Sequence, residues 1–264
     1  MKVPIYNIKG EKSGEMTVAK AFSQPVRKDL IKRAILHEQS LERHPYGANP
    51  LAGKRTSAHY HGRRGIKHAM MNREMARMKR IHGQGHLNMT ARFVPQATKG
   101  RKAHPPKAEK VWEKKMNKKE LLKAILSAVA ATGKKNIVEE RGHKIKDVKH
   151  VPMIIEDKFQ ELKKAKDVKD ALHDIGFDAE LERAKEKKVR AGKGKTRGRR
   201  YARKKGPLIV VSDEKDIKKS GRNLSGVDIV TVSELSVTLL APGTHPGRLC
   251  LWTKSAMEAL DKLN

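Results

Sequence analysis

The run Leu208-Ile209-Val210-Val211, set between Gly206-Pro207 and Ser212-Asp213, decides the fold. Four consecutive apolar residues bounded by turn-forming ones read as a strand, and the lack of polar alternation means that both of its faces are covered. Strands of this kind belong to parallel sheets with helices on either side. Outward from it, Val227 to Val232 and Arg248 to Thr253 read as further strands. Ser212 is placed to cap a short helix running to about Lys219. Ser255 to Leu263 closes as a helix with Ala256, Leu260 and Leu263 on one side. Residues 233 to 241 do not distinguish helix from strand.

Upstream the same alternation of elements continues. Val151-Pro-Met-Ile-Ile155 is a buried strand whose Pro152 suits a sheet edge or a strand start. Residues 158 to 190 are helical in two or three pieces broken near Gly176, with Leu162, Ala165, Val168, Leu172, Leu181 and Ala184 as buried positions. Asn117-Lys-Lys-Glu120 has the form of a capping box, and the apolar face Leu121, Leu122, Ile125, Leu126, Val129 and Ala130 follows it until Gly133. Ser23 stands as N-cap before Pro25, opening an amphipathic helix through Val26, Leu30, Ile31, Ala34, Ile35 and Leu41 that ends near His44-Pro45. Residues 3 to 8, with a Gly10–Gly14 turn before Met16 to Val18, form a strand or hairpin. The fold class is therefore α/β: an open, mostly parallel sheet with helices on both faces, interrupted by a long extended basic loop.

That loop spans residues 44 to 110. It carries fifteen lysines and arginines against two acids, Glu74 and Glu109, together with seven of the chain's twelve histidines and seven glycines. No apolar period lasts more than a few residues, so little burial opposes its ordering entropy, and the segment is expected to be loose until something anionic orders it. Residues 69 to 81 are expected to be helical. Residues 190 to 206 form a second such patch, with nine cations and no anion, also read as unable to fold alone. The other 180 residues hold 36 cations and 27 anions, so most of the net charge of +31 lies in these two segments. A concentration of that kind favours a polyanionic partner over a merely soluble surface. The organisation is thus residues 1–43 and 111–264 as a globular body, 44–110 as an extended loop that could reach at most about 100 Å, and 190–206 as a basic segment within the body.

The chemistry that an α/β sheet invites finds little support. Gly192-Lys-Gly-Lys-Thr196 resembles the end of a phosphate-binding loop, but position 189 is valine where that loop needs glycine, and no buried strand precedes it. Gly83-Gln-Gly85 lacks the third glycine of a dinucleotide fingerprint. His59 with His61 and His82 with His86 have ligand-like spacings, yet only Glu74 offers a carboxylate and every neighbour is cationic, so no metal and no cofactor is expected. Cys250, the single cysteine, reads as core packing and excludes an internal disulfide. The start lacks a signal-peptide run and no apolar stretch approaches a membrane span, which points to an intracellular soluble protein with no membrane partner. Nucleic acid fits instead. Lysine and arginine neutralise phosphates, glycine allows close backbone approach, and Tyr46, Tyr60, Phe93, Trp112 and the histidines can stack on unpaired bases, which favours folded RNA.

Three runs carry a family resemblance: Arg80-Ile-His-Gly-Gln-Gly85, Ala103-His-Pro-Pro-Lys107 and Arg190-Ala-Gly-Lys-Gly-Lys-Thr-Arg-Gly-Arg-Arg-Tyr201, joined by Gly221-Arg-Asn-Leu-Ser-Gly-Val227. The chain resembles, along its whole length, the archaeal and eukaryotic branch of large-subunit ribosomal protein four (the L-four family). The resemblance implies a non-enzymatic structural protein of the cytoplasmic large ribosomal subunit. Its partners would be large-subunit rRNA, neighbouring ribosomal proteins and the nascent peptide, and it would not be a homo-oligomer. It implies a central loop threaded through rRNA to the peptide exit tunnel, with the tip between about Arg80 and Arg92. Arg80, His82, Gly83, Gly85, His86 and Arg92 are then assigned to RNA contact or the tunnel wall. Arg55, Arg63, Arg64, Arg77, Lys79, Arg101, Lys102 and His104 are the other candidate rRNA-binding residues of the loop. Lys193, Lys195, Arg197, Arg199, Arg200 and Arg203 are those of the second patch. The competing classes are an RNA-modifying enzyme and a free RNA-binding regulator.

Overall fold

The computed structural model describes residues 2–83, 85–213 and 216–262. Contacts divide the chain into two units, Met1–Leu41 with Glu113–Asn264, and Glu42–Trp112. The first is the α/β body. Its strands β1 (Lys2–Tyr6) and β2 (Lys12–Thr17) form an antiparallel hairpin, and α1 (Lys28–Leu41), α2 (Lys118–Thr132) and α3 (Lys135–Glu140) follow in chain order. Next come β3 (Met153–Ile155), α4 (Ala165–Asp174) and α5 (Asp178–Lys185), then β4 (Lys187–Val189) and β5 (Tyr201–Arg203). The chain closes with β6 (Leu208–Val211), α6 (Ile217–Gly221), β7 (Asp228–Thr231), α7 (Val237–Leu240), β8 (Cys250–Thr253) and α8 (Lys254–Asp261).

The main sheet has the order β2-β1-β3-β8-β6-β7, and every pairing in it except β1 with β2 is parallel. The apolar run at 208–211 lies inside it, between β8 and β7, and all four of its side chains are fully buried. The period of two explains why none could be polar. Leu208 and Val210 point into one core with α1, α2, α7 and α8, whereas Ile209 and Val211 point into a second core with α4 and α6. Trp252 on β8 belongs to the first core, where Phe22 meets its ring edge-on at 5.6 Å. Cys250 is buried there too, and burial pushes its thiol up to about 12, as suits packing rather than chemistry.

Several local expectations are corrected. The capping box does not close: Asn117 precedes α2 without a side-chain bond, because Glu120 turns to Arg33 of α1 at 2.8 Å. Ser23 ends a 3-10 turn, and α1 begins only at Lys28, after Ser127 of α2 has accepted the Arg27 N–H and donated to the Pro25 carbonyl. Ser212 does not cap α6; Asp216 precedes that helix, and Ser212 is held by Gln160 and Ser255. Residues 233–241 contain α7, capped by Ser236 accepting from the Leu239 N–H. Pro152 takes the strand-start role, since β3 lies between β1 and β8. The apolar face of α8 includes Ala256 and Leu260, while Leu263 lies outside the described residues.

Candidate nucleic-acid interface

The Glu42–Trp112 unit contains no helix among its described residues. The helix expected at 69–81 does not form: the Met70 N–H donates to the His61 carbonyl, and His68 and Asn72 take positive φ, so helical hydrogen bonding never begins. The outgoing and returning chains lie side by side instead. Ala48 N–H bonds to Pro106 carbonyl at 3.0 Å, and a Cβ on Gly53 would stand 2.6 Å from the Arg101 backbone, so only glycine permits that approach. Further along, His59 and Arg80 exchange both backbone bonds, at 3.1 and 3.2 Å, and Arg80 bridges on its other side to Ala91. A turn between Ile81 and Thr90 is closed by bonds of 3.0 and 2.9 Å at its base, involving Ile81 with Thr90 and Met89 with Ile81. Gly83 and Gly85 lie in this turn with open space around them; Gln84 is outside the described residues.

What holds the unit is slight. Ala58, Ala69, Met70 and Arg80 are its buried residues, while Tyr46, Leu51, Tyr60, Ile66, Met75 and Leu87 are exposed. His68, Asn72, Met89, Phe93 and Lys99 all hold positive φ, a conformation costing about 1 kcal/mol for each L side chain. The expectation that this stretch cannot build a core is thus corrected only to the extent of a small cluster around Met70 and the inward-turned Arg80.

The candidate contact residues separate by placement. Arg55, Arg63, Arg64, Arg77, Lys79, Lys102 and His104 are exposed, as are Gly83, Gly85 and His86, whereas Arg92, Arg101 and His82 are half-buried. Arg80 is buried, and its guanidinium donates to the carbonyls of Met89 at 2.8 Å and Ala76 at 3.0 Å, so in this arrangement it organises the turn. Arg92 likewise donates to the carbonyls of Ala91 and Thr98. Among the described residues, none of the fifteen lysines and arginines from 44 to 110 makes an ion pair. A basic segment without internal counter-charges keeps its full field for an external anion. Near the ends of the unit, Tyr46 stacks on Trp112 at 5.5 Å, with Arg43 and Lys110 over the indole, forming a ready base-sized platform.

The second patch is ordered where the sequence predicted no fold of its own. Strands β4 and β5 pair antiparallel from Lys187–Arg203 to Val189–Tyr201, and Arg190 continues the ladder to the Arg200 carbonyl at 2.8 Å. Backbone pairing needs no buried face, and composition alone does not reveal it. Lys193, Lys195, Arg197, Arg199, Arg200 and Arg203 are all exposed and make no ion pair among the described residues. The root of this hairpin is fixed by two buried hubs. Glu180, fully buried, accepts from Arg183 and the Lys144 N–H and pairs with His143 at 2.6 Å, and Arg183 also donates to the Lys205 carbonyl. Burial would raise the Glu180 carboxyl, but the hydrogen bonds from Arg183 and His143 outweigh it and hold the group at about 2. Arg248, also fully buried, donates to the Gly206, Gly226 and Leu239 carbonyls and to Asp228 at 2.6 Å. Sequence reading placed Arg248 simply at a strand start; its partners are distant in sequence, and no local signal marks them.

At the carboxyl ends of β3, β6 and β8, where an open parallel sheet places a cofactor crevice, Gln160 fills the space. Its amide nitrogen lies 2.9–3.1 Å from Asp157, Thr253 and Ser255, and its oxygen accepts from Ser212 and the Asp213 N–H. Among the described residues, these polar groups satisfy one another.

The model of the Ribosomal protein L4/L1 family matches residues 16–263. The chain belongs to that family. It is accordingly a structural, non-enzymatic protein. Curated relatives carry the name large ribosomal subunit protein uL4. That of Methanosphaera stadtmanae is 41% identical over 99% of this chain and 97% of its own length. That of Methanopyrus kandleri is 44% identical over 99% and 98%, and that of Nanoarchaeum equitans 46% identical over 98% and 97%. No helix among the described residues is long and apolar enough to cross a membrane.

Proposed function

We propose that this member of the L4/L1 family is a constituent of the cytoplasmic large ribosomal subunit, where it binds large-subunit rRNA, supports subunit assembly and lines the peptide exit tunnel. Residues 44–110 run into the rRNA, the turn between Arg80 and Arg92 reaches the tunnel wall and the nascent peptide, and residues 190–206 contact rRNA from the body. The helices between 118 and 190 offer faces to neighbouring ribosomal proteins. The observation that carries this reading is the set of fifteen basic side chains in 44–110 that, among the described residues, make no internal ion pair, in a segment where four described residues are buried. Such a segment gains its order from phosphates, each neutralised with release of counterions. The turn at 81–90 supports the tip assignment because it exposes glycine and His86 on a base closed by backbone bonds.

Ultraviolet cross-linking of intact large subunits carrying a stalled nascent chain, followed by peptide mapping, tests it. Cross-links to rRNA should concentrate in peptides from 50–105 and 190–203, and those to the nascent chain in the 82–92 peptides. RNA cross-links confined to the helices of the body would contradict the assignment.

A further inference from the structure

The meander in the Glu42–Trp112 unit brings together histidines that the sequence separates. His59 and His61 lie two residues apart on one segment, and His82 lies two residues beyond Arg80, the residue that exchanges both backbone bonds with His59. One ligand nitrogen from each of His59, His61 and His82 falls within 4.8 Å of the other two. The His59–His82 ring centroids are 4.2 Å apart and those of His61 and His82 are 4.6 Å apart, while His68 stacks flat on His82 at 4.7 Å. His86, the partner that spacing along the sequence suggested for His82, is not in the group.

Two further observations point to a ligand. Nδ1 of His82 meets only another imidazole nitrogen, Nε2 of His59 at 3.1 Å, a contact bridged by one shared hydrogen whose place a cation can take. A tetrahedral zinc ion with bonds of about 2.0–2.1 Å separates adjacent nitrogens by about 3.3 Å, so this edge already has the right length. In addition, His59 Nδ1 lies 3.0 Å from the Ser57 carbonyl, which can only accept. Nδ1 therefore carries the hydrogen, and Nε2 presents its lone pair to the cluster. A backbone carbonyl that orients a ligand imidazole through its other nitrogen is the usual support of a histidine metal site.

We infer that His59, His61 and His82 form a three-histidine binding site for a late first-row divalent cation of the zinc class, with the fourth position left to an oxygen ligand. Neutral imidazoles suit such a cation, and no cysteine or carboxylate is needed for three protein ligands. The surrounding lysines and arginines lower the affinity without altering the geometry. The ion would tie residue 59 to residue 82 across a segment that buries almost nothing, ordering it independently of rRNA. The inference is separate from the ribosomal assignment and can fail without it.

The test titrates the full chain, freed of RNA by nuclease and high salt, with cobalt(II) at neutral pH. The expected result is a visible ligand-field band that saturates at one equivalent and is abolished by added zinc. H82Q and H59Q should each weaken binding more than tenfold, and H86Q and H104Q should leave it unchanged. Because a substitution could disturb the meander itself, proteolysis of the wild-type chain gives a second reading: zinc should slow cleavage between residues 59 and 82, and magnesium should not. Absence of a band at one equivalent, or a band that survives H59Q and H82Q together, overturns the site.

Discussion

Arg248 shows how a single buried cation fixes where the basic β4–β5 hairpin ends. Its guanidinium takes four carbonyls, those of Gly206, Pro207, Gly226 and Leu239, and Asp228, around the point where the chain leaves the β4–β5 hairpin for β6. Arg248→Met removes the donors from the buried carbonyls and leaves Asp228 to Lys205 alone, at 3.1 Å, so we expect a loss of about 1–3 kcal/mol in chemical denaturation. Glu180 acts on the same root. Its folded carboxyl sits near 2 against 4.5 when free, so folding is favoured by the ionised form. That stability is fully present above the free value and is lost as pH falls from about 4.5 towards 2. It amounts to about 3 kcal/mol, and denaturation followed by circular dichroism between pH 5 and pH 2 should show it, with a flatter profile in Glu180→Gln. Neither residue was legible as a hub, because Leu249 to Trp252 present Arg248 as a strand flank and Glu180 sits among the other charges of a helix. Arg183 lies three residues from Glu180, but the partners that bury these charges, His143 for Glu180 and Asp228 with Gly206 for Arg248, lie 20 to 42 residues away, which no local pattern encodes.

Among elements, the strands of the main sheet were the most legible, since an apolar run such as 208–211 has no alternative way to hide both faces. Helix starts were less so. The Asn117–Glu120 pattern is a competent cap, yet Arg33 offered Glu120 an ion pair, and the tertiary partner won. The 69–81 segment fails as a helix for a related reason: Met70 is drawn to His61, and His68 and Asn72 turn left-handed on either side of it. The β4–β5 hairpin was missed because it is ordered by backbone pairing and by buried groups at its root, Glu180 with Arg183 and Arg248, rather than by an apolar face of its own. Its six exposed cations between Lys193 and Arg203 give a direct prediction. Changing them all to glutamine should lower the salt dependence of rRNA-fragment binding, reducing the slope by up to about five, at about 0.7–0.9 per phosphate contact. The midpoint of thermal unfolding of the body should stay where it is. An unchanged slope would remove the hairpin from the RNA contact.

For the whole molecule, the division of labour follows the charge. The α/β body holds two apolar cores on a six-stranded sheet, while residues 44–110 set fifteen basic side chains against two acids and bury few groups among the described residues. Replacing residues 50–105 by a short flexible linker should therefore leave a body that melts cooperatively but no longer enters large subunits stably. The histidine cluster adds a local tie within the basic segment, and its cobalt titration is independent of this test. A loop threaded in rRNA is held by more than charge. At salt near 1 M the screening length is about 3 Å, and a surface-held basic protein dissociates. Sedimentation of cell extract through a high-salt sucrose gradient, with this chain quantified in each fraction, therefore separates threading from attraction. Near one-to-one retention on the large subunit is expected; recovery of the chain in the top fractions, with large subunits intact below, would rule threading out.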